Sequence, residues 1–235
     1  MKQSSTISIR LAAGFLVLTI GFGQPCPAQN SPIEKISESV YRIGTVLVES
    51  EKREIYLDGK VNLQAGPIEL LACTSWGKVH ESVLVLNIVP HDFQVALLLL
   101  GLDEKKVEYS EELGRVIGGD SMAIYVKWSA GQDSVEVRGE KLVFNLVTGR
   151  EMDATRWIFV GSRIEEGVFR ADSEGSLITT YSDPYTIVDS AAELASDDEA
   201  YVVNQTLVPP VNTPVKVTIR VLNQAGPQEE SQKED

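Results

Sequence analysis

The stretch that decides the fold is GPIELLACTSWGKVHESVLVLNIVPHDFQVALLLLG, residues 66–101. Its apolar runs at 68–73 and 80–88 do not alternate, which favours two strands covered on both faces. If the loop at 74–79 closes an antiparallel hairpin, Cys73 and His80 face each other as its last pair. We therefore predict a hairpin that brings these two side chains together.

An apolar helix follows the second of these strands. Pro90 fixes its start, Asp92 lies in the first turn where the helix dipole favours a carboxylate, and Gly101 ends it. The sequence FQVALLLL between them is apolar on nearly every side, so we predict that the helix at 91–101 is buried. At about 1.5 Å per residue it is roughly 15 Å long, which is too short to cross a membrane.

The rest of the chain has the pattern of short strands separated by glycine-containing turns. Asp58-Gly59 between two alternating runs is a strong hairpin signal. Residues 103–119 are charged and favour a surface connection. The predicted strands are 40–48, 55–57, 60–63, 122–129, 134–137, 141–146, 157–162, 168–171, 177–180, 187–188 and the closing strand 215–222, with an acidic loop or short helix at 192–200. The expected fold class is α+β and β-rich, with mostly antiparallel sheets around one buried helix.

The N-terminus has the organisation of a secretory signal peptide. Lys2 and Arg10 form the positive region, and a short apolar run at 11–22 follows. We predict cleavage after Ala28; the alternative is a lipoprotein site at Cys26, to which the preceding Gln-Pro is a poor lead-in. The protein is therefore expected to be exported, either to the periplasm or out of the cell.

Charge and cysteine content limit the partners and cofactors of the exported chain. The formal net charge is −13, and removal of 1–28 takes away two positive charges and no negative ones, which gives −15. Nucleic acid and anionic membrane surfaces are therefore not expected as partners. Only Cys73 remains after cleavage, so no intrachain disulfide can form. We expect a single domain at 29–223 and a disordered acidic tail at 224–235.

The polar triplet His80-Glu81-Ser82 opens an otherwise apolar strand and supports two functional hypotheses. The first is a non-catalytic extracytoplasmic binding or accessory domain, which contacts an unknown protein or small molecule through Trp76, Lys78 and His80. The alternative is a hydrolase that uses His80 with Glu81, Ser82 or Cys73, because a nearby imidazole can activate a hydroxyl or a thiol. No serine-hydrolase elbow or catalytic-cysteine signature surrounds these residues.

A metal site would have to combine His80 and His91 with a carboxylate or with Cys73. The eleven positions between the two histidines include a strand, which separates them by about 25–30 Å unless the chain folds back. We therefore expect no metal ion and no other cofactor.

The central stretch resembles the YdjY domain family. The residues that carry the resemblance are Gly66-Pro67, Gly77-Lys78, His80-Glu81-Ser82 and the apolar helix end at 97–101. A second block at 157–162 with Ala171-Asp172 and Glu174-Gly175, and the closing NTPVKVTIR at 212–220, extend it over residues 40–222.

Some members of this family are described as ferredoxin-like, which would imply an iron–sulfur cluster. Such a cluster needs four cysteine ligands, and the exported chain has one, so no cluster is expected here. The resemblance implies no catalytic or binding residue.

Overall fold

The computed structural model describes residues 31–222, so the predicted signal peptide and the predicted acidic tail lie outside the described residues. The helices in this range are α1 (Pro90–Leu99) and α2 (Arg170–Glu174). The strands are β1 (Ile33–Lys35), β2 (Val40–Ile43), β3 (Val46–Glu49), β4 (Glu54–Val61), β5 (Leu70–Cys73), β6 (Ser82–Leu86), β7 (Glu108–Ser110), β8 (Arg115–Gly118), β9 (Ser121–Ala130), β10 (Asp133–Arg138), β11 (Val143–Asn145), β12 (Arg150–Glu151), β13 (Trp157–Phe159), β14 (Ile164–Glu165), β15 (Val168–Phe169), β16 (Ser176–Thr179), β17 (Val188–Ser190), β18 (Tyr201–Val203) and β19 (Pro214–Val221).

Eight of these strands form a closed sheet. Their order around the ring is β4, β19, β9, β13, β17, β16, β5 and β6, and the pairing of β6 with β4 completes it. Two neighbouring pairs, β16 with β17 and β5 with β6, are parallel, and the other six are antiparallel. The prediction of a β-rich fold is confirmed, and the prediction of mostly antiparallel sheets is confirmed in part, because two of these pairs are parallel.

The hairpin predicted within the central stretch is wrong. β5 and β6 run parallel, so Cys73 stands opposite Val85 and Leu70 opposite Ser82. His80 lies before β6, in a short 3₁₀ turn at Val79–Glu81. Parallel neighbours usually need a connection of a dozen residues or more. The shorter segment 74–81 suffices here because β5 has four residues and is only about 13 Å long.

The hairpin predicted at Asp58-Gly59 is also wrong, because both residues lie inside the continuous strand β4. On one edge β4 pairs along its length with β19, and Gly59 stands opposite Val215. On the other edge β4 pairs first with β3 and then, from Gly59 onward, with β6. A Cβ at position 59 would lie 2.6 Å from the Leu86 side chain and from the Val85 carbonyl oxygen. Glycine is needed at this position for close packing, not for a turn.

Substitution of Gly59 by alanine is expected to lower the free energy of unfolding by about 1–3 kcal/mol, because the added methyl group overpacks the junction of β4 and β6. Urea denaturation monitored by circular dichroism measures this loss. The matched control is Asp58→Ala, whose side chain is 75% exposed and forms only a surface ion pair with Lys216. We expect the control to change stability by about 0.5 kcal/mol or less. Equal losses in the two variants would contradict the packing role of Gly59.

Several local predictions differ from the structure. The strand predicted at 40–48 is a hairpin of β2 and β3, with Gly44 at φ 55° in the turn. The segment predicted at 141–146 as part of a meander contributes β11, which pairs with β12 and β18 in a separate sheet. Segment 103–119, predicted as a connection, contains the hairpin of β7 and β8. Of these pairings, only that of β11 with β18 joins segments that are distant in sequence, whereas β2 with β3 and β7 with β8 form local hairpins. Segment 192–200, by contrast, forms turns, which agrees with the acidic loop that was one of its two predicted forms.

Helix α1 begins at Pro90 as predicted, but only one of its sides is buried. Phe93, Ala96 and Leu97 are buried in the core, where α1 packs against β2, β3 and α2. Leu98 and Leu99 are 43% and 39% exposed. The sequence did not distinguish the two sides because both are apolar. Within residues 31–222, no helix has the length and apolar character needed to cross a membrane.

Candidate functional site

The loop between β5 and β6 is fixed against α2. The Trp76 Nε1 atom donates a hydrogen bond to the Asp172 carbonyl oxygen at 2.8 Å, and the Thr74 amide donates to the Gly175 carbonyl oxygen at 2.9 Å. The Trp76 residue remains 52% exposed. Its hydrogen bond anchors the indole ring while much of its surface stays open to a partner.

Lys78 is surrounded by carboxylates. Its Nζ atom lies 3.2 Å from Glu69 Oε2, 3.4 Å from Glu81 Oε1 and 3.8 Å from Asp183 Oδ2. Burial opposes the charged form, but the hydrogen bond to Glu69 and the three negative charges outweigh it and raise the pKa of Lys78. Lys78 also lines a groove of about 380 Å³, together with Glu174 and residues 181–185.

The four residues of the hydrolase hypothesis do not meet in an open pocket. The His80 side chain is 77% exposed, and its Nε2 atom is 3.6 Å from Glu81 Oε2. Ser82 is fully buried and donates its hydroxyl hydrogen to the Leu84 carbonyl oxygen at 2.9 Å. Cys73 is fully buried, and burial raises the pKa of its thiol although the Ser82 hydroxyl acts in the opposite direction. The exposed imidazole and the two buried nucleophiles therefore lie in different environments.

The second histidine lies in the first turn of α1. The His91 amide donates to Asp172 Oδ1 at 3.0 Å, and the imidazole ring meets the Phe169 ring edge-on at 5.6 Å between centroids. In the part of the chain that the structure describes, no three His, Cys, Asp or Glu side chains are grouped closely enough to hold a metal ion.

A larger hollow, here named the Arg163 cleft, lies on the other side of the segment 182–184. Its volume is about 430 Å³. Its lining combines apolar residues with charged and polar groups that come from three separate segments. The apolar residues are Val107, Val116 and Val160 with Tyr109 beside them, and the polar residues are Arg163, Ser182, Asp183 and Asp189.

Asp189 is a buried carboxylate in the lining of the Arg163 cleft. It lies on β17, next to Thr179 of the parallel strand β16. Its Oδ1 atom accepts from Thr179 Oγ1 at 3.1 Å and from the Ser190 amide at 2.7 Å, and its Oδ2 atom accepts from Ser182 Oγ at 2.8 Å. Burial raises the pKa of Asp189 to about 6, the charge of Asp183 adds to this effect, and the three hydrogen bonds oppose it.

This raised pKa predicts a specific dependence of stability on pH. The folded protein holds the Asp189 proton more tightly than the unfolded chain does. The resulting stabilisation is therefore complete below pH 3.8, the ordinary pKa of an aspartate, and is lost as the pH rises through about 6. Relative to Asp189→Asn, the wild-type protein should lose about 3 kcal/mol of unfolding free energy between about pH 3 and pH 8. Urea denaturation of both proteins across this range gives the difference curve. A flat curve would contradict the prediction.

The sequence interpretation missed the residues of the Arg163 cleft. Asp189 carried one signal, because it follows Ile187 and Val188 directly and so places a carboxylate inside an apolar strand. Such a group must find partners when it is buried. Arg163 carried no signal, since an isolated arginine beside a turn is ordinary on a protein surface.

These features define a β-rich protein built on a closed eight-stranded sheet. A cleft lined by both polar and apolar residues lies where β17 meets the segments after β13 and β16. The family model of the YdjY domain matches residues 46–220, from β3 into β19. The chain belongs to the YdjY domain family, which confirms the resemblance seen in the sequence. Comparison with curated proteins and with solved structures gave no match.

Proposed function

We propose that this protein is an exported, extracytoplasmic binding domain that holds a small ligand in the Arg163 cleft without transforming it. The observation that carries the proposal is the cleft itself. Its volume of about 430 Å³ is within the range of small-molecule sites. Such sites combine apolar walls with a few convergent polar groups, and the Arg163 cleft has both.

The surface around Trp76 and Lys78 extends this site. The groove beside Lys78 shares Ser182, Asp183 and Pro184 with the Arg163 cleft, so the two hollows are neighbours. A ligand longer than the cleft, or a protein partner, reaches Lys78 and the exposed Trp76 and His80 from there. The negative net charge favours partners other than nucleic acid and anionic membranes.

Export is proposed from the sequence of residues 1–28, with its positive region and short apolar run. Cell fractionation of a bacterial host that expresses the full sequence tests this part. Recovery of a shortened protein from the periplasm or the medium is the expected result, and full-length protein in the cytoplasm contradicts it.

The hydrolase alternative has less support from the geometry. It needs His80 within hydrogen-bond reach of a nucleophile that a substrate can approach. Ser82 gives its hydroxyl hydrogen to a backbone carbonyl oxygen inside the protein, and Cys73 is a buried thiol with a raised pKa. A raised thiol pKa lowers the fraction of the reactive thiolate.

A fragment screen by two-dimensional NMR tests the binding function. We would use protein expressed from the full sequence and map shifted resonances onto the structure. The expected result is a cluster of shifts around the Arg163 cleft. Val107→Trp fills the cleft and should abolish this binding. The matched control is Val147→Trp, at a position that is 66% exposed and outside the cleft lining, and it should leave binding unchanged.

Two results would contradict the proposed function. One is fragment binding that maps only to other surfaces. The other is cleft binding that survives Val107→Trp unchanged, because the ligand would then not occupy the space that the indole fills.

A further inference from the structure

We propose that the Arg163 cleft binds a zwitterion, specifically a free amino acid or a dipeptide with apolar side chains. The inference rests on the proposed binding function and names its ligand class. It follows from the arrangement of one cation, two carboxylates and an apolar wall in a single cleft.

The cationic part of the site is Arg163. Arg163 is exposed, and its guanidinium group forms no hydrogen bond or ion pair with any residue in 31–222. A guanidinium presents five N–H donors in a plane that matches a carboxylate in two parallel hydrogen bonds. The arginine is thus open to the carboxylate of a ligand.

The anionic part of the site has unused acceptor capacity. An ionised carboxylate offers about four lone-pair positions. Asp189 uses three of them, for Thr179, Ser182 and Ser190. Asp183 accepts from Ser176 Oγ and from the Tyr185 amide, both at 2.8 Å. Each aspartate can therefore accept a further hydrogen bond, and an ammonium group has three to donate.

Charge complementarity selects a ligand that carries both signs. A simple anion would pair with Arg163 but would meet the negative charges of Asp183 and Asp189. A simple cation would pair with the aspartates and be repelled by Arg163. A zwitterion satisfies both ends at once, and its apolar side chain covers the wall of Val107, Val116 and Val160.

The test is isothermal titration calorimetry at pH 7 on protein expressed from the full sequence. The probes are L-leucine and L-leucyl-L-leucine, with N-acetyl-L-leucine and L-leucinamide as analogues that lack the positive or the negative charge. We expect at least one zwitterion to bind and both analogues to bind about tenfold or more weakly, because each loses a charge-assisted interaction.

Variants assign each end of the ligand to a side chain. Arg163→Met should weaken zwitterion binding by about tenfold and should not weaken L-leucinamide binding, because that analogue has no carboxylate to pair with Arg163 and is repelled by its charge. Asp189→Asn should weaken zwitterion binding and should not weaken N-acetyl-L-leucine binding, because that anion has no ammonium group and is repelled by the Asp189 carboxylate. The matched control is Arg42→Met, an exposed arginine outside the cleft lining, which should bind like the wild-type protein.

The outcomes separate the ligand class from the binding function. Equal affinity for an analogue and its parent zwitterion overturns the ligand class, and so does an Arg163→Met variant that binds like the wild-type protein. If none of the four probes binds while fragments still map to the cleft, the ligand class is wrong and the binding function stands. If neither probes nor fragments bind in the cleft, both proposals fall.

Discussion

Replacement of Glu140 by alanine is expected to lower the free energy of unfolding by about 3–5 kcal/mol. The Glu140 side chain is buried, and its Oε1 atom accepts three hydrogen bonds. The donors are Arg138 Nη2 at 2.7 Å, the Thr155 amide at 3.1 Å and Trp157 Nε1 at 3.2 Å. Alanine would leave the Thr155 amide and Trp157 Nε1 without an acceptor, and the positively charged Arg138 would keep only the Thr155 carbonyl oxygen, at 3.1 Å. An unpaired buried donor loses its interaction with water and gains nothing in return.

Chemical denaturation followed by tryptophan fluorescence measures this effect. The matched control is Glu151→Ala, which removes a glutamate whose side chain is 42% exposed and paired only with Lys141 in a surface ion pair. Surface pairs contribute between zero and about 1 kcal/mol, so the control should be nearly silent. If Glu140→Ala costs no more than Glu151→Ala, the buried network is not a major source of stability.

Gly175→Ala is expected to cost about 2–5 kcal/mol, from two separate causes. Gly175 follows α2 with φ 68°, where a side chain costs roughly 1–2 kcal/mol. A Cβ there would also collide with Thr74 Oγ1 and lie 2.6 Å from Gly77 Cα. Because this second contact is with backbone, the loop would have to move, at about 1–3 kcal/mol.

Gly167→Ala is the matched control, because Gly167 also has a positive φ but has no neighbouring atoms that an added Cβ would contact. Gly167 has φ 78°, and a Cβ there would meet no atom within 4 Å. The difference between the two variants in urea denaturation therefore isolates the contact between the loop and α2. Equal losses would mean that backbone conformation alone explains the effect. Displacement of the loop in Gly175→Ala should also change the solvent exposure of Trp76.

Local patterns in the sequence predicted those elements whose form depends on neighbouring residues. Pro90 marks the start of α1, and the alternation in residues 215–222 matches the alternating burial of β19. The parallel pairing of β5 with β6 was not predictable in this way. It depends on β4 and β16, which flank the two strands in the ring, and β16 comes from a distant part of the chain. Asp58-Gly59 was misleading because Gly59 serves close packing against Leu86.

The candidate site was less predictable than the fold. Arg163, Asp183 and Asp189 come from separate segments, and only the arrangement of β13, β16 and β17 brings them to one cleft. The sequence interpretation instead chose His80 and its neighbours because they are close together in sequence. Proximity along the chain did not ensure a shared environment, since Ser82 is buried and His80 is exposed.

The position of β19 in the ring affects the order in which the protein can fold during synthesis. Val217 pairs with Leu57 on one side and with Val126 on the other, so β19 joins two strands that the ribosome releases much earlier. The closed sheet cannot form until residues 214–221 have emerged. Contacts of such long sequence separation also slow folding. Until β19 has emerged, the nascent chain exposes the edges of β4 and β9 that later pair with it.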